Sequence, residues 1–345
     1  MLVASDQAPS TFLEFVVFPL SPHISSSLYG ADQGACAFLS NCEGENMNKR
    51  LVLDIGGTFV KCAVMDDDAH IYSEKKIPTP PSGNDEIFDC IRTLYTEHKA
   101  ADPDIDGLAL SVPGAVDVET GYVSYAGSVL DIIGKNMKEK LADLETRIEL
   151  ENDANCAALA EKWKGNAINC ENFLCVTVGT GIGGAIFNRG EIVHGVAGMA
   201  GEFGLMMLDT HGSIDEILST RNFSRYSSTY NIVEQLNTHF NDEKTGEEWF
   251  VLYENGHTEV LDIIHTFYYR LAIGMINLMH IFAPEKIVIG GGISSRPELI
   301  PFIREQIAKV PTAIAQKMEI EACKQKNQAG LIGALYHFQQ MGGMK

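Results

Sequence analysis

Two stretches of this chain share one pattern that constrains everything else. Residues 51–55 form an apolar run that breaks at Gly56-Gly57-Thr58 before residues 59–65 resume it, and residues 173–178 break at Gly179-Thr180-Gly181 before residues 183–187. An apolar run interrupted by glycine and then resumed reads as two strands joined by a tight turn. The two copies lie about 120 residues apart, too far for a short-period solenoid, so they imply two similar halves that face each other. Between and after them, apolar runs alternate with helical spacing. Residues 84–98 and the stretch from Asn152-Asp153 to about Lys164 have helical spacing, as do residues 224–240, 257–282 and 328–340. Residues 107–112 and 286–289 read as buried strands, and residues 149–151 end another. Strands alternating with helices define an α/β chain.

Composition narrows the function classes. The 345 residues carry 46 acidic against 26 basic side chains, a formal charge of -20. Such a chain repels phosphate backbones and anionic lipid, which argues against nucleic acid as a partner. No run of 18 apolar residues occurs, so no membrane span is expected. The 8 cysteines contain no C-x-x-C pair, a usage that fits a reducing cytoplasm and offers no structural zinc site. Residues 1–46 contain no Lys or Arg, and Met47-Asn48-Lys49-Arg50 follows directly. We read Met47 as a plausible start and residues 1–46 as an extension outside the fold, lacking the basic n-region of a signal peptide.

Five segments carry chemistry. Asp54-Ile55-Gly56-Gly57-Thr58 places one carboxylate and one hydroxyl on a glycine turn, where backbone N–H groups can approach phosphate oxygens and the carboxylate can hold a hydrated Mg²⁺. Its spacing matches neither a P-loop nor a dinucleotide fingerprint. Thr180-Gly181 sits on a second such turn, and Gly290-Gly291-Gly292 follows a buried strand, suited to close approach of a nucleoside. Glu151-Asn152-Asp153-Ala154-Asn155 puts a carboxylate at a helix start. There it is either an N-cap or a general base that the helix dipole keeps ionised, with Asn152 orienting the same substrate. Gly198-Met199-Ala200-Gly201-Glu202-Phe203-Gly204 places a carboxylate in a glycine-flanked segment able to fold over a polyhydroxy ligand. His194 and His211 flank that segment without a role that the residues assign.

In this order the motifs resemble the ROK family of sugar kinases in the actin-like ATPase superfamily, over residues 51–340. Longer stretches, among them residues 151–156, 289–297 and 326–331, resemble the branch of that family acting on β-glucosides. The resemblance implies a two-lobed actin-like (ribonuclease H-like) fold, with lobes 47–168 and 169–345 and a terminal helix able to pack back on the first lobe. It implies ATP, Mg²⁺ and a homodimer. The implied activity is phosphoryl transfer to the 6-hydroxyl of a small-molecule sugar such as cellobiose, with glucose or N-acetylmannosamine as rival acceptors. The family also contains non-catalytic sugar-sensing regulators, which need a DNA-reading module that residues 1–46 are too short and too poor in basic residues to form. Carried over by position, Asp153 resembles the catalytic base; Asn152, Glu202, Glu216 and Asn136 resemble sugar ligands. Asp54, Gly56, Gly57, Thr58, Thr180, Gly181, Gly291 and Gly292 resemble the nucleotide site, with Asp54 reaching Mg²⁺ through water. Most members carry a His and a cysteine-rich zinc motif after the Glu. Here Leu205 takes the His position and residues 206–216 hold no Cys, so the resemblance implies no structural zinc and an unbraced, wider acceptor site.

Overall fold

The computed structural model describes residues 48–343, which belong to one compact unit, Asn46–Lys345. The reading of residues 1–46 lies outside the described residues. In chain order the strands are β1 (Lys49–Ile55), β2 (Phe59–Asp66), β3 (Ile71–Pro78), β4 (Ile105–Val112), β5 (Ala115–Asp117), β6 (Tyr122–Tyr125), β7 (Lys135–Asn136), β8 (Arg147–Asn152), β9 (Asn172–Val178), β10 (Ile182–Asn188), β11 (Glu191–Ile192), β12 (Lys286–Gly290) and β13 (Glu319–Ala322). The helices are α1 (Glu86–Ala101), α2 (Met137–Lys140), α3 (Asp153–Lys164), α4 (Ile214–Thr220), α5 (Phe223–Ser227), α6 (Thr229–Phe240), α7 (Gly246–Glu254), α8 (Thr258–Phe282), α9 (Leu299–Ala308), α10 (Ala313–Lys317) and α11 (Ala329–Gly343).

Both repeated glycine patterns are hairpins, and each opens a five-stranded sheet of the same topology. The first sheet has the order β3-β2-β1-β4-β8 and the second β11-β10-β9-β12-β13. In each, the opening hairpin is antiparallel and the later strands join parallel to its first strand. A three-stranded sheet, β5-β6-β7, is attached to the first half. Its short strands lack the apolar run by which the others are legible in sequence.

Strand alternation decides which side chains face the interior between the sheets. Leu51, Leu53 and Ile55 of β1 enter a core shared with α1, whereas Val52 enters a second core with residues of α3 and α11. Successive strand residues point to opposite faces, so Asp54 shares the face of Val52, and Lys61 lies opposite it in register on β2. That second core also takes Phe173, Cys175, Ala185, Phe187 and Val288 from the other sheet. The terminal helix α11 packs on α3 and on β1, β4 and β8. The third core gathers β9, β10 and β12 with α8, whose Val260, Ile264, Phe267, Leu271, Met275 and Leu278 are all buried. Each such side chain contributes about 1.5–3 kcal/mol of hydrophobic transfer energy. No helix among the described residues is long and apolar enough to cross a membrane.

Two sequence expectations shift. The helical stretch 224–240 is divided at Ser228, whose side chain caps α6 by accepting from the Asn231 amide, so α5 and α6 are separate. Helix α7, closed by a Thr245/Glu248 capping box, was not legible as a separate element.

Candidate active site

Three glycine turns stand at the carboxyl ends of β1, β9 and β12, the edge where α/β sheets bind ligands. The first, Gly56-Gly57-Thr58, is held by Thr79, which donates its amide to Thr58 O at 3.0 Å and its hydroxyl to Gly56 O at 2.6 Å. The second, with Thr180 and Gly181 exposed, is held by Thr229, whose amide and hydroxyl both donate to Gly179 O. The third packs against the second. Gly291 has φ +84, and a Cβ there would stand 2.1 Å from Val178 O. Only glycine meets both demands cheaply. Gly57, Thr58, Gly291 and Gly292 are exposed.

Helix α3 begins among these turns. Asn152, not Asp153, is its N-cap: the Asn152 Oδ1 accepts from the Ala154 and Asn155 amides at 2.9 and 3.0 Å. The Asn152 Nδ2 donates to Gly114 O at 2.8 Å and to Asp153 Oδ1 at 3.0 Å. All four hydrogen-bonding positions of this amide are thereby engaged within the protein. Asp153 is the first helical residue, released from capping. Its carboxylate opens to solvent while the protein crowds its other sides. That crowding, with the nearby Asp54 and Glu202 carboxylates, pushes its pKa up to about 6, against the stabilising Ala154 amide and Asn152 side chain. The helix dipole alone would hold this group below the ordinary carboxylate range; desolvation and like charge outweigh it, because it acts with only a fraction of a unit charge. At about 6 the group is still mostly ionised at neutral pH, as a resting base requires.

The neighbours of Asp153 come from several elements. Asp54 accepts from the Ser111 hydroxyl at 2.9 Å and from Lys61 Nζ at 3.0 Å; Lys61 also donates to Asn327 O at 2.8 Å. The start of α11 closes over Asp54, since a Cβ on Gly330 would meet its carboxylate. Glu202 is half-buried, and burial raises its pKa. Its loop is pinned where the Phe203 ring and Gly201 O occupy the space of an absent Gly184 side chain on β10. Gly183 of the same strand lies against Ala154, so the second hairpin touches the helix that carries Asp153.

The structure therefore brings Asp153, Asp54 and Glu202 together beside the glycine turns, with Asn152 supporting Asp153. Glu216 and Asn136 are each held by a local partner. Glu216 lies in the first turn of α4 and pairs with Arg221 Nη2 at 2.8 Å. Asn136 caps α2 by accepting from the Glu139 amide at 3.1 Å. His211 is exposed and paired with Asp209, whereas His194 is part-buried against Glu151 at 2.7 Å. Sequence reasoning missed Lys61, Ser111 and Ser128. The first two become visible only through strand register, and Ser128 only because it packs against Gly57.

Both Asp54 oxygens are already hydrogen-bonded, and no group of three or more His, Cys, Asp or Glu that could hold a metal occurs among the described residues. Direct metal coordination by Asp54 does not fit this donor set. A cation arriving with nucleotide phosphates and reaching Asp54 through water does.

Two α/β halves of one topology, with a carboxylate at a helix start between three glycine turns, define a phosphate-handling protein of the actin-like ATPase class. The chain belongs to the ROK family, whose model matches residues 50–341. It is 37% identical over 298 residues to a β-glucoside kinase of Listeria monocytogenes, covering 85% of this chain and 98% of that protein. Its fold matches a Listeria monocytogenes structure proposed to be an N-acetylmannosamine kinase, with TM-score 0.78 and 36% identity over 86% of this chain and all (100%) of that one. It also matches a ROK protein of Streptococcus pneumoniae in complex with sucrose, with TM-score 0.74 and 29% identity over 86% of this chain and 100% of that one.

Proposed function

We propose that this protein is an ATP-dependent sugar kinase that transfers the γ-phosphoryl group to the 6-hydroxyl of a β-glucoside such as cellobiose. The observation that carries the reading is Asp153, opening to solvent at the start of α3 with a pKa raised to about 6. A carboxylate ionised at neutral pH yet basic enough to accept a hydroxyl proton is matched to general-base work. Asp153 holds the acceptor hydroxyl and takes its proton as the oxygen attacks phosphorus and ADP leaves. Asn152 fixes the rotamer of Asp153, and Glu202 accepts hydrogen bonds from sugar hydroxyls. Gly57, Thr58, Thr180 and Gly181 offer backbone N–H groups to the phosphates, Gly56 shapes the turn by donating its own amide to Phe59 O at 3.0 Å, and Gly291 and Gly292 admit the nucleoside. Mg²⁺ arriving with the nucleotide would supply charge neutralisation, and Asp54 would be the residue that holds it, through water. Little covalent chemistry falls to the protein, so positioning carries the rate.

Resemblance to the β-glucoside kinase supports the acceptor class, and the sucrose complex of a relative supports a disaccharide-sized site. The relative proposed to be an N-acetylmannosamine kinase keeps that acceptor as the second reading, with glucose beside it. A sensor without catalysis is disfavoured by the base and the three turns together. We also infer a cytoplasmic homodimer with lobes divided near residue 168, on the family resemblance and on six free cysteines among the described residues. ADP release with Mg-ATP is measured against cellobiose, gentiobiose, glucose and N-acetylmannosamine. The highest kcat/KM on a β-glucoside is expected. A preference for a monosaccharide refutes the acceptor, and silence on every sugar refutes the kinase reading.

A further inference from the structure

A carboxylate that takes no part in the proposed chemistry stands directly behind the base. Glu151 of β8 has only 1% of its side chain exposed. Its Oε1 accepts from the Asn152 amide at 2.7 Å and from Asn155 Nδ2 at 3.0 Å, which keys it to the first turn of α3. Its Oε2 meets His194 Nε2 at 2.7 Å and faces His337 Nδ1 of α11 at 3.6 Å. A buried carboxylate is tolerated only with such partners.

His194 opens the loop that ends at Glu202. Its backbone carbonyl accepts from the Ala200 amide at 3.0 Å, closing that loop on itself. Gly198 rests against the Val116 backbone of β5, and Ser124 of β6 donates to Ala197 O at 3.3 Å. One buried carboxylate thus touches the helix start that presents Asp153 and, through His194, the loop that presents Glu202.

We propose that Glu151 and His194 form a latch setting the Glu202 loop against the Asp153 helix, which makes His194 a positioning residue for the acceptor sugar. The inference rests on the sugar-kinase reading of the site. The groups facing His194 are Glu151 from β8, Asp117 from β5 and His337 from α11. The hydrogen bond to Glu151 raises the imidazole above the usual histidine range, against burial, and the Glu151 and Asp117 charges add to this. Burial pushes His337 down, so of the two rings His194 holds a proton to the higher pH. A raised histidine gives its full charged pairing below its unfolded value and loses that charge as pH rises through the folded value, when the neutral ring keeps one N–H to donate. The latch therefore weakens on the alkaline side, opposite to the acidic side on which Asp153 is neutralised.

The test compares the wild type with His194→Gln, whose amide donates at every pH, and with His194→Ala. Hydrogen exchange of residues 194–204, corrected for intrinsic rates, is read at about pH 6.5 and about pH 9, beside KM for cellobiose and for ATP. Wild-type protection falls about tenfold or more at the higher pH, as expected for loss of a charged hydrogen bond. His194→Gln holds one value at both, and His194→Ala is low at both. His194→Ala raises the cellobiose KM about tenfold while the ATP KM stays unchanged, and His194→Gln restores it. Wild-type protection that does not change with pH overturns the latch, as does a His194→Ala variant whose sugar and ATP KM rise together or do not rise. The exchange readout needs no turnover. An enzyme silent on every sugar would refute the kinase reading and leave the latch to be judged by exchange alone.

Discussion

The acid limb of the pH–rate profile tests the site most directly. Asp153 has its pKa raised from 3.8 to about 6 by desolvation on its protein-facing sides, then by the Asp54 charge, and less by Glu202. A base of that pKa is about nine-tenths ionised at pH 7 and about one-tenth at pH 5, so kcat/KM for sugar falls about tenfold across that interval. Asp153→Asn removes the base and lowers kcat roughly 10²–10⁴-fold, and what remains shows no limb. Glu202→Gln moves the limb of the residual activity toward lower pH, because one like charge is gone. The assay is initial-rate ADP release at saturating Mg-ATP and limiting sugar, with the coupling enzymes shown not to limit at each pH. The same group makes a prediction for stability. Since its folded value lies above the unfolded one, ionising Asp153 opposes folding: the cost is absent below the ordinary value of 3.8 and grows as pH rises through about 6. Asp153→Asn therefore melts higher than the wild type at neutral pH, and the difference closes near the ordinary carboxylate range. A wild-type profile flat down to pH 5, or near-normal turnover of the Asn variant, would refute the assignment.

Other parts of the site give sharper local tests. Gly291→Ala forces a side chain into a backbone of φ +84 facing Val178 O; a loss of about 1–3 kcal/mol and a raised ATP KM are expected, and an unchanged melting temperature would contradict the packing of the two turns. Asp209 accepts from the Tyr226 hydroxyl at 2.7 Å and the Thr210 amide at 2.7 Å, and pairs with Arg221 at 3.4 Å. These contacts brace the segment that the resemblance left unbraced, so Asp209→Asn is expected to raise the sugar KM and expose residues 206–226 to limited proteolysis. EDTA abolishes turnover by removing Mg²⁺ from the nucleotide but leaves the melting temperature of the nucleotide-free protein unchanged; a fall on chelation would reveal a structural metal.

Much of this architecture is local in origin and therefore visible in the chain. Glycine interrupting an apolar run produces a hairpin whatever surrounds it, so both opening hairpins and the duplicated topology could be read directly. The α3 start was legible for the same reason, because Asn-Asp before an apolar helical pattern is a capping signal. The division of labour within it was not. That Asn152 caps and Asp153 is set free depends on Gly114 lying within 2.8 Å of the Asn152 amide, from a strand turn 38 residues away.

The charge states were decided at still longer range. A lone Asp at a helix N-terminus is expected to be more acidic than usual, but desolvation by the surrounding protein, and then Asp54 from β1 and Glu202 from the loop after β11, reverse the sign. The Lys61–Asp54 pair exists because register on the opening hairpin sets those two residues opposite each other. Glu216 and Asn136, matched by sequence order alone, each have a local partner: one Glu216 carboxylate oxygen meets Arg221, and the Asn136 Oδ1 caps α2. The chain by itself determined which segments turn, which are buried and which residue types carry the chemistry, because those follow from side-chain volume, polarity and backbone freedom over a few neighbours. Only the tertiary structure decided which of those side chains meet and in which protonation state, because Coulomb interaction and desolvation depend on distance in space and not on distance along the chain.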